Sequence, residues 1–372
     1  MPSAGVVAPR VGLIPSLDGL RAVSVLIVFW AHASLPFGVR GGTGVTVFFF
    51  LSGYLITTLL RVEYDRYERI SLKGFYLRRV LRILPPMYIA IALGLLLTAV
   101  GALTARVTGG GVAASSFFFA NYWKIADLEG IPDGLGVLWS LAVEEHYYMI
   151  FPLVYILLRK YLPKRAHQAI VLAVLCAGVL AWRCWLIFEA GATDVRVYYG
   201  TDTRIDGILL GAIFAIVLNP AYGEFKLPTR WLLPTLAAVS TVVFAAFIFA
   251  RFVDTPHAYT WGYTVQALTL VPIFGYLITR PGSWIGRILN WKPIAFLGVL
   301  SYTMYLVHVL FLRSVENLFS LPHVAEVVIA GVATFLFAWG VNKVVERPIA
   351  KLRKKLSRAG ESTTLLPEKS VR

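Results

Sequence analysis

Long apolar stretches recur along the whole chain and are separated by short polar segments. Ten of them are about 20 residues long, which is the length an α-helix needs to cross a bilayer core of roughly 30 Å. Backbone groups in lipid must be satisfied within the element, so we predict that these stretches are helices. The predicted spans are 17–36, 43–61, 81–103, 139–158, 167–188, 204–219, 230–250, 261–279, 293–314 and 324–344. The pattern therefore predicts an all-α polytopic membrane protein with about ten transmembrane helices.

Two segments do not fit the pattern of spans. The apolar run at 112–123 is too short to cross a bilayer, and we predict that it is a re-entrant or interfacial segment. Residues 347–372 are basic and lack a long apolar run, so we expect a disordered cytoplasmic tail. Residues 1–346 are then a single transmembrane domain.

The charge of the chain is large and unevenly distributed. A formal net charge of +15 in 372 residues is compatible with nucleic-acid binding. If the N-terminus is cytoplasmic, however, 27 of the 35 Lys and Arg residues fall on cytoplasmic segments. That asymmetry follows the positive-inside rule. We therefore predict a lipid bilayer and no nucleic acid as partner, with both termini in the cytoplasm.

Arg21 and His32 carry the most informative polar groups of the first span. Their eleven-residue spacing is about three helical turns, so both side chains lie on one stripe, roughly 16 Å apart. Arg21 has an alternative role as an inner-leaflet anchor. His32 has an alternative role as a helix-packing hydrogen-bond partner. Because ionisable groups inside spans usually have a polar task, we favour His32 as a base that titrates near neutrality.

Two adjacent carboxylates, Glu144 and Glu145, lie near the predicted outer end of the fourth span. Counting along the spans places them at the depth of His32. Neighbouring residues point about 100° apart on a helix, so at most one of them faces the imidazole. A carboxylate there would orient the ring and stabilise its charged form. The alternative is a structural ion pair, for example with Arg183.

Arginines cluster at the other side of the membrane, where Arg78, Arg79 and Arg82 begin the third span. A guanidinium matches phosphate oxygens in bidentate geometry and stays charged. Ordinary anchoring or contact with anionic lipid is the alternative. The chain lacks the Walker A, G-x-G-x-x-G, G-x-S-x-G and H-E-x-x-H patterns, so we predict no NTPase, dinucleotide or serine-hydrolase site and no metal.

Other polar and aromatic residues within the spans are candidates for an acceptor or supporting site. Arg204 and Asp206 enter the sixth span from the side of His32. Tyr305 and His308 are three apart and share a helix face, where His308 is either a packing partner or a ligand contact. The remaining candidates are Ser52, Tyr54, Trp139, Ser140 and Tyr302.

Several motifs together resemble the membrane acyltransferase-3 family, the bacterial integral-membrane O-acyltransferases of cell-surface glycans and some secondary metabolites. The resemblance covers nearly the whole chain, and it departs from the family where His146 and Tyr147 stand in place of the commoner Gln-Phe. It rests on Arg21-x10-His32, FFFLSGYLI, the Arg79-x-x-Arg82 of FYLRRVLRILP, WSLAVEEHYY, TRIDGILLG, LSYTMYLVH and Glu346-Arg347-Pro348.

The resemblance implies a multi-pass enzyme of the bacterial inner membrane that uses acyl-CoA, with acetyl-CoA the favoured donor. The acceptor would be a hydroxyl of a cell-surface glycan, a glycolipid or a small-molecule glycoside. His32 would be the general base, supported by Glu144 or Glu145. The donor would bind at Arg21, Arg78, Arg79 and Arg82.

Two other classes of protein carry similar features. A transporter of a sugar, lipid or anion also has intramembrane His, Glu and Arg residues. Internal symmetry between two halves would favour a transporter, and none is visible in the sequence. A non-catalytic membrane scaffold would bind no acyl-CoA.

Overall fold

The computed structural model describes residues 14–225, 231–249 and 255–352, which form fifteen α-helices and no strand. Of the predicted cytoplasmic tail, residues 347–352 are helical and residues 353–372 lie outside the described part. The helices are α1 Leu17–His32, α2 Gly41–Tyr67, α3 Leu72–Ala99, α4 Gly109–Ser116, α5 Ala120–Ile125, α6 Leu138–Tyr161, α7 Arg165–Phe188, α8 Asp194–Tyr199, α9 Thr201–Val217, α10 Leu232–Phe249, α11 Thr255–Tyr259, α12 Trp261–Thr279, α13 Trp284–Leu289, α14 Lys292–Leu318 and α15 His323–Val341.

Within the described residues, nine helical segments are long and apolar enough to cross a membrane. They match nine of the ten predicted spans, and the all-α polytopic fold is confirmed. The first span, α1, has only 16 residues and is about 24 Å long. It ends at His32, earlier than predicted, because the chain turns before Pro36 with Ser34 in the left-handed region at φ 49°.

The short apolar run at 112–123 folds as parts of two small helices, α4 and α5, which have 8 and 6 residues. Thr108 caps α4 by accepting a hydrogen bond from the Gly111 N–H, and Phe118 turns the chain between the helices at φ 63°. Neither helix is long enough to cross a bilayer. The prediction of a non-crossing segment is therefore confirmed.

Two pairs of helices pack with their backbones in close contact. A Cβ built at Gly298 of α14 would lie 1.7 Å from the carbonyl oxygen of Asp18 in α1. A Cβ at Gly53 of α2 would lie 1.8 Å from the carbonyl oxygen of Ile208 in α9. Only glycine fits at such contacts. The first pair aligns α1 along α14, and this alignment positions the site.

Two local irregularities lie beside that site. Pro85 and Pro86 stand inside α3 and remove two amide donors, which leaves the carbonyls one turn earlier without helical partners. At the end of α15, Asn342–Glu346 form one π-helical turn, a feature that is frequent at functional sites. Pro86 of the first irregularity and Asn342 and Glu346 of the second line the same cavity.

Candidate active site

A cavity of about 440 Å³ lies among α1, α2, α3, α6, α14 and the end of α15, and we call it the arginine cavity. Four of its seven charged lining residues are arginines, so its net charge favours an anionic ligand. The charged residues are Asp18, Arg21, Arg79, Arg82, Glu144, Glu346 and Arg347. It extends along α2 from Ile56 to Val45, which is near the His32 end of the bundle.

The arginines of the cavity differ in how far they are already paired. Arg21 donates to Asp18 at 2.7 Å, and Arg347 donates to the side-chain oxygen of Asn342 at 3.1 Å. Within the described residues, Arg79 and Arg82 make no hydrogen bond and no ion pair; Arg79 instead lies 4.7 Å over the ring of Tyr148. Two guanidiniums therefore keep their donors for a ligand.

Arg78 is not part of the arginine cavity. It donates to Glu63 at 3.0 Å, and its side chain is 38% exposed. Successive residues of a helix point about 100° apart, so Arg78 and Arg79 face different neighbours. The structure thus brings together three of the four arginines predicted to bind the donor.

Glu144 and Glu145 do not contact the imidazole of His32. Glu144 lines the arginine cavity and accepts a hydrogen bond from Tyr148 at 3.0 Å. Glu145 is 9% exposed, and its Oε1 has no hydrogen-bond partner within the described residues. The expectation that one of them orients His32 is corrected here. The helical segment starts at Leu135, so Glu144 lies about 14 Å into it, deeper than the span boundaries predicted.

The partner of His32 is a second histidine, His308. Nε2 of His308 lies 3.2 Å from Nδ1 of His32, and the two rings are 5.0 Å apart, edge to face. His308 is 1% exposed, whereas His32 is exposed. We call this pair the histidine dyad.

The hydrogen bonds of the histidine dyad assign its tautomers. Nδ1 of His308 lies 2.8 Å from the Tyr305 carbonyl, and Nδ1 of His32 lies 2.9 Å from the Val28 carbonyl. Carbonyl oxygens only accept, so both Nδ1 atoms carry hydrogen. A neutral His308 then accepts at Nε2 from Nδ1 of His32. This arrangement leaves Nε2 of His32 unprotonated and able to take a proton from a ligand.

Tyr305 connects the arginine cavity to the histidine dyad. It lines the cavity, and its ring lies 5.8 Å from that of His308, which confirms that the two residues share one face of α14. Its hydroxyl is 2.6 Å from that of Ser140. A continuous series of side-chain contacts thus runs from the cavity through Tyr305 and His308 to His32.

Comparison with known proteins gives a family. The family model that describes an acyltransferase domain of the acyltransferase-3 family matches residues 14–343. The chain belongs to the acyltransferase-3 family.

Curated relatives are similar over most of the chain. It is 30% identical over 358 residues to the peptidoglycan O-acetyltransferase OatA of Listeria monocytogenes, covering 91% of this chain and 56% of that protein. It is 33% identical over 351 residues to the putative peptidoglycan O-acetyltransferase YrhL of Bacillus subtilis, covering 90% and 55%. The chain spans about half the length of these relatives. No solved structure matches it.

Of the nine residues predicted for an acceptor or supporting site, four line the arginine cavity of this acyltransferase-3 member and five, with His308 of the dyad among them, do not. Ser52, Ser140, Tyr302 and Tyr305 line it. Tyr54 is fully buried and donates to Asn219 at 2.9 Å, and Asp206 pairs with Arg183 at 2.7 Å in the fully buried interior. Since these partners satisfy them, Tyr54 and Asp206 are structural. The ion pair proposed between Arg183 and a glutamate is formed with Asp206.

Trp139 and Arg204 support a second pocket that the sequence analysis did not identify. This pocket has a volume of about 430 Å³ and lies where α2, α8, α11 and α12 meet, and we call it the tyrosine pocket. Four of its twelve lining residues are tyrosines: Tyr198, Tyr199, Tyr259 and Tyr263. The tyrosine-rich segments VYYG and AYTWGYT were the available signal. They were missed because three of the four tyrosines lie in two short helices between predicted spans, α8 and α11.

Among residues 14–225, 231–249 and 255–352, no group of three or more His, Cys, Asp or Glu side chains is placed to hold a metal ion. Cys176 and Cys184 are free thiols.

Proposed function

We propose that this protein is an integral membrane O-acyltransferase of the bacterial inner membrane. It transfers an acetyl or other short acyl group from acyl-CoA to a hydroxyl of a cell-surface glycan. The donor enters from the Arg21 end of α1, which the charge asymmetry of the sequence assigns to the cytoplasm. The acceptor approaches from the His32 end. The names of the curated relatives support O-acetyl transfer and a peptidoglycan acceptor.

The donor assignment rests on Arg79 and Arg82. Coenzyme A carries phosphates, and an unpaired guanidinium is the side chain best matched to them. Arg21 is neutralised by Asp18 and contributes less positive charge. With the phosphates at the arginines, the pantetheine arm extends toward Ser140 and Tyr305, where the cavity approaches the histidine dyad.

The chemistry rests on Nε2 of His32. This atom takes the proton of the acceptor hydroxyl as the oxygen attacks the thioester carbonyl. The carbon–sulfur bond then breaks, the acyl group stays on the acceptor oxygen, and coenzyme A leaves as the thiol after receiving the proton. The Val28 carbonyl and Nε2 of His308 stabilise the imidazolium formed in between, because both accept from its Nδ1–H. His308 thus has the positioning role that the sequence analysis assigned to a glutamate.

The observation that carries this proposal is the position of the histidine dyad, in which His32 is exposed and which Tyr305 joins to a cavity with two unpaired arginines. The test is the purified protein in lipid nanodiscs with acetyl-CoA and chitotetraose, without any ion gradient. We expect release of the coenzyme A thiol together with an acetylated tetrasaccharide in the mass spectrum. Binding of acetyl-CoA without product or thiol release would contradict the proposal and favour a transporter; absence of binding would favour a scaffold.

A further inference from the structure

We propose that the tyrosine pocket binds a pyranose ring of the acceptor glycan and presents one of its hydroxyls to His32. The pocket is separate from the arginine cavity, and the family assignment says nothing of it. Its role in transfer rests on the proposed function, whereas its affinity for a sugar does not.

The walls of the tyrosine pocket are aromatic, and two residues outside the pocket pack against its tyrosine rings. The guanidinium of Arg204 lies 3.6 Å from the ring centre of Tyr263, and the indole of Trp139 lies 4.8 Å from the ring of Tyr198. Neither Arg204 nor Trp139 lines the pocket. Ligand sites combine such fixed aromatic walls with a few polar groups that set orientation. Phenol rings offer apolar faces to the C–H side of a sugar and hydroxyls to its rim.

The polar groups of the pocket suit a neutral ligand with many hydroxyls. Its two charged lining residues, Arg40 and Asp194, have opposite signs, so no net charge selects an anion. Gln266 lines the pocket and is 5% exposed, yet its Oε1 has no hydrogen-bond partner within the described residues. A buried amide oxygen without a donor is costly, and a sugar hydroxyl would supply that donor. Burial raises the pKa of the Tyr259 phenol, which keeps that hydroxyl protonated as a donor.

The pocket adjoins the histidine dyad where α2 begins. A Cβ at Gly41 would lie 3.9 Å from Cε1 of His32, and a Cβ at Gly42 would lie 3.1 Å from the hydroxyl of Tyr198. Two successive residues without side chains therefore lie between His32 and the tyrosine wall at this point. A ring held against the tyrosines is within reach of the imidazole across these glycines.

The position of the pocket also matches the route of the acyl group. Thr43 of α2 lines the tyrosine pocket, and Val45, two residues later, lines the arginine cavity. Residues two apart on a helix point about 200° apart, so the two sites flank the first turn of α2 on opposite sides. An acceptor in one and a thioester in the other meet around the N-terminal end of α2, where Gly41 lies beside His32.

The test measures binding of chitotetraose to the intact protein in nanodiscs by calorimetry, without donor. We expect binding that is weakened at least tenfold by Gln266→Leu, which removes the amide, and by Gly42→Val, which fills the space beside Tyr198. Gln168→Leu is the matched amide control, because Gln168 is fully buried and bonds to Leu162 at the α6–α7 turn, outside the pocket. Gly340→Val is the matched glycine control, since nothing lies within 4 Å of its Cβ position.

Binding of acetyl-CoA by each variant shows that the protein is folded and should be unchanged. The proposal is overturned if chitotetraose does not bind, or if both pocket variants bind it as the wild type does. Binding of inositol hexakisphosphate in place of the tetrasaccharide would also overturn it, because that result would assign the pocket to an anion. If chitotetraose does not bind to the pocket but the protein still turns over acetyl-CoA, the pocket proposal fails and the proposed function stands.

Discussion

The arginine cavity and the tyrosine pocket have nearly the same volume, about 440 and 430 Å³, but opposite chemistry. The first gathers four arginines against three carboxylates and leaves Arg79 and Arg82 without carboxylate partners. The second has one arginine, one aspartate and four tyrosines. This difference underlies the proposal that the arginine cavity holds an anion and the tyrosine pocket a neutral ligand.

The residues between the two sites explain how they are coupled. α14 carries Tyr305 at the arginine cavity and His308 beside His32, so a single rigid helix spans both. α14 is fixed against α1 by the contact between Gly298 and the backbone of Asp18. The distance between the arginine cavity and the histidine dyad is therefore set by helix packing rather than by a loop.

The largest expected effect is at His32, where the two regions meet. We expect His32→Ala to lower kcat by about 100-fold to 10,000-fold, the usual range for loss of a general base. Acetyl-CoA and chitotetraose should both still bind. His167→Ala is the matched control, since His167 is exposed in the first turn of α7. Full activity of His32→Ala would show that His32 is not the base. The arginine cavity and the tyrosine pocket would then share no catalytic group.

The next largest effect is expected on the KM for acetyl-CoA, and it distinguishes arginines inside the arginine cavity from those outside it. We expect Arg79→Gln to raise the KM for acetyl-CoA about tenfold, because a hydrogen bond to a charged group contributes about 1.5–3 kcal/mol. The effect of Arg82→Gln should be smaller, since Arg82 is exposed. The KM for the acceptor should not change.

Arg78→Gln is the comparison for these variants, because Arg78 pairs with Glu63 outside the cavity. A KM change of less than about twofold is expected, as is common for an exposed pair. An equal rise in the KM for acetyl-CoA in the Arg78, Arg79 and Arg82 variants would indicate a general surface charge effect. It would contradict a specific donor cavity.

A smaller effect is expected at His308, which acts through His32. His308→Leu removes the acceptor of the His32 Nδ1–H but leaves the Val28 carbonyl, so we expect kcat to fall about tenfold. His308→Gln restores an acceptor and should recover part of this loss. The dependence of kcat on pH would distinguish a positioning role of His308 from a packing role. Only His308→Leu should change the pH profile of kcat that reports the His32 base. Identical profiles and rates for both variants would contradict the positioning role.

The positions of the spans and their helical structure could be predicted from the sequence, because 20-residue apolar runs form helices in a bilayer. The pairing of His32 and His308 could not, since depth along a span says nothing of how neighbouring helices are rotated. Glu144 was misplaced for a different reason: its predicted depth depended on a span that begins at 139, whereas the helical segment begins at Leu135. The tyrosine pocket depends on α8 and α11, and only tertiary packing places such short helices.

The most direct test of the central claim is sided transfer in proteoliposomes. Neither acetyl-CoA nor chitotetraose crosses a lipid bilayer, so each can be confined to one face. Protein orientation can be read with a membrane-impermeant maleimide on Ser34→Cys, at the His32 end, in a Cys176→Ala/Cys184→Ala background. We predict acetylated tetrasaccharide only when acetyl-CoA is on the Arg21 side and the acceptor is on the His32 side. Product formed with both substrates on one face, or with the faces exchanged, would contradict the account.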